Sequence, residues 1–506
     1  MDKTSINIPI SRRDFFKIAG LTTAGVMLSG NIETKKAEAA TVERKINFDG
    51  ANIPTLISAD VCVCGGGSAG TAAAINAAKN GAKVILIEKG IALGGLATLG
   101  CVYPCMPTFA FDSDTPYIDE INLRMKNHGV KEPVPNFETP TYYGGGRGLY
   151  IPELLAEIYD EMCEEYGVEI LYNTSIIGAV TDNQKITSCI VQTISGIYKI
   201  DAKIFIDGTG DAVLARFAGV PVEKGSEKTG RNQPMSFRFE MSGIDETKAR
   251  NFFVKKLKDD WNVIKPPIRN ISKPPIFEFA KWTKTEEFFQ KGVASGELTQ
   301  DDILYIQAFT IEGKPNTMSM NCPEMPPLKF SATDAISYSK AVTFGRKMMR
   351  RLAKFFIKNL PGFEKAYISH EASILGVRES WRIHGKYYMT ANDYFGRKKF
   401  PDAVCRTAYP IDIHDTKLDF SPKFQKDEFY EIPYRALVTN EFENLAVVGR
   451  CISADFSAQA SVRIQPTCMS MGEAAGIAAS YGLKNNIAVN QIEWDKIPNR
   501  SYVSAG

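Results

Sequence analysis

Between Gly376 and His384 the chain carries residue types that could act on a small polar molecule, with Arg378, Ser380, Arg382 and His384 at every second position. In an extended segment alternate side chains project to one side, so these four would share a face, with Val377, Trp381 and Ile383 opposite them beside Glu379. Two guanidiniums can grip a planar carboxylate through paired hydrogen bonds, and an imidazole beside them can give or take a proton near neutral pH. Arg378 is the expected substrate-orienting group and His384 the expected acid or base. In the plainer alternative both arginines hold structural carboxylates and His384 only packs. His370, His414 and His128 complete the histidines and rank below His384.

A second constellation binds rather than reacts. The alternating run Ala59 to Cys64 reads as a short strand and leads directly into Gly65-Gly66-Gly67-Ser68-Ala69-Gly70, a G-x-G-x-x-G loop. An alanine-rich helix is expected from Thr71 to Asn80, ending at Gly81, and a second strand from Lys83 to Ile87, closed by Glu88. Gly65 permits the tight turn, Gly67 lets the backbone approach a pyrophosphate, and Gly70 lets helix and strand pack closely. Ser68 and Ala69 lie at the helix N-terminus, where free N–H groups and the dipole favour an anion. Glu88 stands where an acidic residue accepts hydrogen bonds from a ribose. Strand, loop, helix, strand and acid within one short unit make a dinucleotide site the expected reading.

The following segments distinguish FAD from NAD. Lys89 opens a stretch in which Gly94, Gly95, Ala97 and Thr98 keep the backbone bare beside a cofactor. An apolar strand, Lys203 to Ile206, runs into Asp207-Gly208-Thr209-Gly210-Asp211-Ala212. Between these lie a helix, Pro152 to Tyr166, and short strand-like runs near 168–173, 176–181, 186–194 and 197–201. That order resembles the two-dinucleotide-binding FAD fold, in which a β-meander interrupts the Rossmann unit. Asn444 to Arg450 supplies a final strand and turn containing Gly449, and the chain then passes Arg463 into a small-residue helix, Met469 to Tyr481. Gly472 and Gly476 would let that helix pack closely. Its positive end could stabilise an anionic reduced flavin. Gly65, Gly67, Ser68, Ala69, Gly70, Glu88, Lys89, Gly94, Gly95, Ala97, Thr98, Asp207, Gly210, Asp211, Gly449 and Arg463 are therefore the expected contacts of a non-covalent FAD.

Over roughly residues 58–485 the chain resembles the FAD-dependent oxidoreductase family that includes heterodisulfide-reductase-like flavoproteins. The resemblance rests on Gly94-Gly95-Leu96-Ala97-Thr98, Gly376-Val377-Arg378-Glu379-Ser380, Ile432 to Leu437, and Gly449 to Ala454 with Arg463 and Pro466-Thr467-Cys468-Met469. It implies non-covalent FAD and redox chemistry without naming a substrate. Trp381 and His384 depart from it, standing where many relatives have a second arginine and an apolar residue. The cysteine-rich segments of true heterodisulfide reductase subunits are absent. A second nicotinamide-binding glycine motif is also missing, since Gly144-Gly145-Gly146-Arg147-Gly148 follows no strand and reads as a turn.

These readings give an α/β chain: a two-dinucleotide-binding-type Rossmann FAD domain with an inserted α+β substrate domain. The expected divisions are a signal peptide at 1–39, a linker at 40–58, the first FAD segment at 59–221, a substrate domain at 222–430, the second FAD segment at 431–485 and a tail at 486–506. The substrate domain contains a long basic amphipathic helix, Asp334 to Asn359. Its lysines and arginines read as a solvated face over an apolar stripe, with an anion-binding patch as the alternative.

Ser11-Arg12-Arg13-Asp14-Phe15-Phe16-Lys17 matches the twin-arginine export pattern with Phe in place of Leu. A mild apolar stretch, Ile18 to Gly30, follows, and then Ala37-Glu38-Ala39, which suits a signal peptidase. Cofactor loading before passage through the twin-arginine translocase is expected, and with it a periplasmic or otherwise extracytoplasmic location. No later segment reads as membrane-spanning. With 506 residues, 44% hydrophobic and a net charge of +2, the chain can bury a large core and has no electrostatic bias toward nucleic acid. Its ten cysteines include no C-x-x-C pair and no closely spaced cubane run, so a 4Fe-4S cluster is not expected. Cys62 and Cys64 would share one buried face, and Cys101 and Cys105 are the pair to examine for redox chemistry.

The expected activity is hydride transfer between flavin and a small polar organic substrate, with a quinone or cytochrome as the other electron partner. The alternative is an electron-transfer flavoprotein subunit whose substrate site lies on a partner.

Overall fold

A computed structural model describes residues 52–504 apart from 104, 107, 109, 111–114, 130–150, 257–277, 281–285, 312, 328, 415–423 and 425–427. The twin-arginine segment, the processing site and the glycine run 144–148 lie outside the described residues.

Strand β1 (Thr55–Cys64) enters the glycine loop, helix α1 (Ser68–Lys79) leaves it, and β2 (Val84–Ile87) pairs in parallel with β1. The helix starts three residues before the expected Thr71. Small residues in its first turn suit this, because those N–H groups have no intrahelical acceptor to lose. Helices α2 (Pro116–Asn127) and α3 (Pro152–Tyr166) follow, and then β3 (Val168–Leu171), which extends the parallel sheet beyond β2. A meander of β4 (Ser175–Asp182), β5 (Lys185–Thr193) and β6 (Gly196–Asp207) returns to the sheet centre.

The runs 197–201 and 203–206 are one strand, β6, antiparallel to β5 at its start and parallel to β1 from Lys199 onward. The polar interruption at Asp201 breaks nothing, because Thr55 and Ser188 hydroxyls donate to its carboxylate at 2.9 and 2.6 Å. Short helix α4 (Val213–Ala218) leads out of this sheet. The sheet buries Val61 and Val63 against α1, and Cys62 and Cys64 on its other face beside Ile85, Cys189 and Phe205.

The inserted region builds a second sheet. β7 (Val222–Lys224) stands apart; then come β8 (Phe239–Ser242), α5 (Glu246–Lys256), β9 (Glu278–Ala280), α6 (Glu286–Ala294), β10 (Gln307–Ile311), β11 (Lys314–Met320), α7 (Ala335–Asn359) and β12 (Tyr367–Glu371). The antiparallel order is β12-β8-β11-β10-β9. One face, with Phe239, Met241 and Met318, packs on Met349, Leu352 and Phe356 of α7. Asp334 caps α7 by accepting from Ser337 N at 2.7 Å. On its basic face Arg351 pairs with Asp302, Arg346 with Glu371 and Lys358 with Glu297, which is how a structural helix face is satisfied.

Strand β13 (Trp381–Ile383) pairs with β7, and α8 (Ala391–Phe395), β14 (Ala403–Thr407) and β15 (Tyr430–Pro433) follow. Met389, Tyr394, Val404 and Cys405, inside the expected substrate domain, pack in the same core as α1. The expected tail carries Val489, Ile492, Trp494 and Ile497 in that core too, because its short 3-10 turns bury side chains without a helix-length apolar period. Strand β16 (Leu445–Val447) completes the first sheet beside β6. Helix α9 (Phe456–Val462) follows, and α10 (Gln465–Asn485) then runs back against α1. A Cβ at Gly472 would stand 2.0 Å from the Ala69 carbonyl oxygen, and one at Gly476 2.3 Å from that of Ala73, so backbone meets backbone along this seam.

Candidate active site

The cradle forms where three glycine loops converge. Gly65 adopts φ +92°, and a Cβ there would lie 2.7 Å from Thr209 Cα. A Cβ at Gly70 would lie 1.8 Å from the Gly65 carbonyl oxygen. Gly67 is different: a Cβ there would meet nothing nearer than 3.9 Å, so open space faces its backbone. No side chain caps α1, leaving the N–H groups at Ser68 and Ala69 available to an anion. Glu88 is buried at the tip of β2, where its carboxylate accepts from Gly66 N at 2.7 Å and Gly90 N at 2.6 Å.

Gly94 N donates to the Gly66 carbonyl at 2.7 Å, and a Cβ at Gly95 would sit 3.1 Å from Gly67 Cα. Ala97 is buried in the short turn Gly95–Ala97, and Thr98 Oγ1 donates to the Leu93 carbonyl at 2.6 Å. Asp207 is fully buried and accepts from Thr209 N, Thr209 Oγ1 and Ala215 N, so its carboxylate shapes its own loop. A Cβ on Gly210 would lie 2.9 Å from the Arg450 guanidinium carbon; that guanidinium pairs with Asp211, and Ser380 Oγ donates to Asp211 at 2.6 Å. Burial works against the Asp211 charge, but Arg450, Ser380 and Lys89 outweigh it and hold its pKa below the usual range. A Cβ on Gly449 would meet Ala69 Cβ at 3.2 Å.

Polar atoms left over at this junction test whether a flavin dinucleotide fits. Arg450 Nε, Gln465 Oε1 and Thr467 Oγ1 are buried without a hydrogen-bond partner, and no side chain caps α10, the helix that carries Gln465 and Thr467. Buried groups of this kind are costly unless something pairs with them. Together with the open space at Gly67 and the uncapped α1, they fit FAD.

A charged cluster links the inserted region to the α9–α10 junction. Arg378 Nη1 donates to the Pro234 carbonyl at 2.7 Å, and Nη2 lies 3.1 Å from Glu324. The same carboxylate is 2.7 Å from His414 Nδ1, while His414 Nε2 is 3.3 Å from Asp412. Asp412 in turn pairs with Arg463 at 2.8 Å. The Tyr305 ring lies against His414, 4.9 Å between centroids. Burial and Arg378 both oppose a charge on His414, but Asp412 and Glu324 prevail and raise its pKa. Burial likewise opposes charge on Asp412, but His414, Arg463 and Arg378 overcome it and depress its pKa strongly. An imidazole held between two carboxylates, with a guanidinium beside each, can store a proton and pass it on.

Residues 60–500 match the family described as FAD dependent oxidoreductase. The chain belongs to that family. Curated relatives include the digeranylgeranylglycerophospholipid reductases of Methanococcus aeolicus, 29% identical over 170 residues, and Methanococcus vannielii, 26% over 172. Each alignment covers 33% of this chain, and 41% and 42% of the respective reductase, so the chain spans less than half the length of these relatives. Among solved structures, a geranylgeranyl bacteriochlorophyll reductase-like protein from Thermoplasma acidophilum is 14% identical at a TM-score of 0.41, covering 85% of this chain and 80% of that one.

In this flavoenzyme the expected pair, Arg378 and His384, is not assembled. His384 is half exposed, stacks on Tyr388 and lies 3.6 Å from Glu223. Arg382 is fully buried against Glu379, Glu223 and the carbonyls of Ala454 and Gly225. The shared face fails because only 381–383 form a strand, and Arg382 turns back onto Glu379, three residues before it, which strict alternation would place on the opposite side. Ser380 is drawn to Asp211 instead. Arg463, expected at the cofactor, joins the cluster through Asp412.

Sequence reasoning passed over Glu324 and Asp412 and ranked His414 low. The readable signal was Asp412-Ile413-His414, two ionisable groups at an extended spacing. Cys101 is buried, its thiol pushed up to about 11, which leaves little thiolate at neutral pH for redox chemistry. The thiols of Cys62, Cys64 and Cys189 do meet, at 3.9 and 3.8 Å, inside the apolar core behind the sheet.

Proposed function

We propose that the enzyme transfers a hydride between FAD and a small polar organic substrate bound at the Arg378–Glu324–His414–Asp412–Arg463 cluster. The observation that carries this reading is His414, buried between two carboxylates with its pKa raised. Bound FAD supplies two-electron hydride chemistry. Gly67 and the start of α1 would hold its diphosphate, Glu88 its ribose, and the orphaned groups of Arg450, Gln465 and Thr467 the remaining polar contacts. Arg378 orients the substrate, and Arg463 fixes Asp412. His414 holds the proton at Nε2 or Nδ1 and exchanges it with the substrate as the hydride moves. Asp412 keeps the imidazole oriented, and the charges of Asp412 and Glu324 keep it basic enough to return to its charged form.

The curated relatives are named as reductases of an isoprenoid lipid. A cluster of five ionisable side chains favours a small polar substrate over such a chain. A quinone or cytochrome serves as the second electron partner, a reading supported by the lack of a second nicotinamide motif. Export through the twin-arginine translocase to an extracytoplasmic location rests on Ser11 to Lys17. Among the described residues no helix is long and apolar enough to cross a membrane.

The test is anaerobic mixing of purified, FAD-loaded protein with a panel of small hydroxy, keto and unsaturated compounds while flavin absorbance is followed. Reduction of the oxidised flavin, or reoxidation of the reduced flavin, by one of them without any partner protein is the expected outcome. Electron exchange only after a second protein is added would favour the electron-transfer subunit instead.

A further inference from the structure

Among the described residues, Arg238 is a buried cation with no acid against it. Arg238 precedes β8 on the sheet face opposite Phe239 and Met241, and it is 2% exposed. Its Nη1 donates to the Cys101 carbonyl at 3.0 Å, and its Nε has no partner. Among the described residues no carboxylate lies within ion-pair distance of it. Glu240, two positions along the same face, is engaged by the Tyr103 hydroxyl and by Lys314 at 3.1 Å. Arg382, the other deeply buried arginine of this region, has Glu379 and Glu223 against it. A buried charge is retained only where something compensates for its lost hydration.

The surroundings of Arg238 point to what that is. Arg378 is anchored on the same segment, its Nη1 donating to the Pro234 carbonyl while Ser236 bridges to both Gly376 and Glu324, and Tyr103 donates to Glu240 two residues beyond Arg238. Burial pushes the Arg238 pKa down to about 10, which still leaves the guanidinium charged at neutral pH. Arg378 already has Glu324 at 3.1 Å, whereas an anion against Arg238 would supply the countercharge that Arg238 lacks. A guanidinium fork matches the two oxygens of a carboxylate in a fixed plane.

We propose that Arg238, together with Arg378, forms a subsite for a carboxylate group of the substrate. This rests on the reading of the Arg378–His414 cluster as the substrate pocket. It narrows the substrate class to small organic acids, with the acid end held by Arg238 and the reacting end left to the flavin and His414.

The test uses the FAD-loaded protein and four probes: acetate, oxalate, malonate and, as an uncharged control, malonamide. Binding is read from perturbation of the oxidised flavin spectrum and from the melting temperature, with no turnover required. At least one carboxylate should bind saturably and malonamide should not. Arg238→Met should weaken that binding by about 100-fold or more, with FAD content unchanged. Arg238→Lys should recover only part of it, because lysine lacks the fork. Without ligand, Arg238→Met should melt no lower than the parent, since it removes an unpaired buried charge; a lower melting temperature would give Arg238 a structural role and overturn the proposal. Carboxylate binding that is unchanged in Arg238→Met, or a flavin spectrum altered in that variant with no change in affinity, would also overturn it. Carboxylate binding without any electron exchange would leave the subsite standing and remove the redox reading. Electron exchange with an uncharged compound, unaffected by Arg238→Met, would do the reverse.

Discussion

Gly472→Ala tests the link between the C-terminal helix and the cofactor cradle. The added Cβ would stand 2.0 Å from the Ala69 carbonyl oxygen and 2.8 Å from the Ala69 carbonyl carbon. Non-bonded heavy atoms settle at about 3.5 Å, so α10 and α1 would have to separate locally by about 1.5 Å. The obstacle is backbone, which has no rotamer to escape into. Overpacking of this kind costs about 1–3 kcal/mol, and alanine's better helix propensity returns at most about 1 kcal/mol of it. The displaced residue, Ala69, lies in the first turn of α1, two residues after Gly67, so the strain falls on the diphosphate site. The variant should melt below the parent and bind FAD about tenfold more weakly or worse, equivalent to about 1.4 kcal/mol. Flavin fluorescence on dilution and a thermal melt measure both. Gly476→Ala meets Ala73 at 2.3 Å, one turn further from the cradle, and should lower the melting temperature with a smaller effect on FAD. Parental melting temperature and FAD affinity in Gly472→Ala would refute the reasoning.

Gly67→Val puts its side chain into space that no protein atom fills, at an ordinary φ of −73°, so the chain should fold yet purify colourless; full flavin content would move the diphosphate elsewhere. Arg378→Lys keeps the charge but loses the fork, and should retain FAD while turnover falls by about 100-fold, which steady-state rates on the identified substrate would show. Asp412→Asn removes one of the two carboxylates that raise the His414 pKa, so the pKa of His414, followed by NMR of its ring protons, should fall. The sign for stability follows. A raised histidine pKa stabilises the fold fully below its unfolded value of about 6.5 and loses that contribution as pH rises through the folded value. Melting temperature should therefore depend less on pH in that upper window for Asp412→Asn than for the parent.

The Rossmann unit was legible because each of its parts is local. Gly65, Gly67, Gly70 and Glu88 sit at spacings that the strand–turn–helix geometry dictates, and the structure places them as that geometry requires. The Gly472–Gly476 seam was legible for a related reason, since small residues one turn apart mark close packing whatever the partner. The charged cluster was not legible. Glu324, Arg378, Asp412 and Arg463 come from four separate stretches, and only the fold brings their charges together. Arg382 misled because a fully buried arginine paired with Glu379 looks, in sequence, the same as one facing a substrate. Arg238 drew no notice because its significance is a missing partner, and sequence spacing does not display one.

The central claim is that His414, and not His384, moves the proton that accompanies hydride transfer. The pH dependence of the flavin's single-turnover reaction with the identified substrate tests it most directly, in the parent, His414→Asn and His384→Asn. The parent should show a limb above about pH 6.5, the unperturbed imidazole value, because the His414 pKa is raised. That limb should be absent in His414→Asn, with FAD still bound, and intact in His384→Asn. A limb that survives in His414→Asn, or disappears in His384→Asn, would contradict the account.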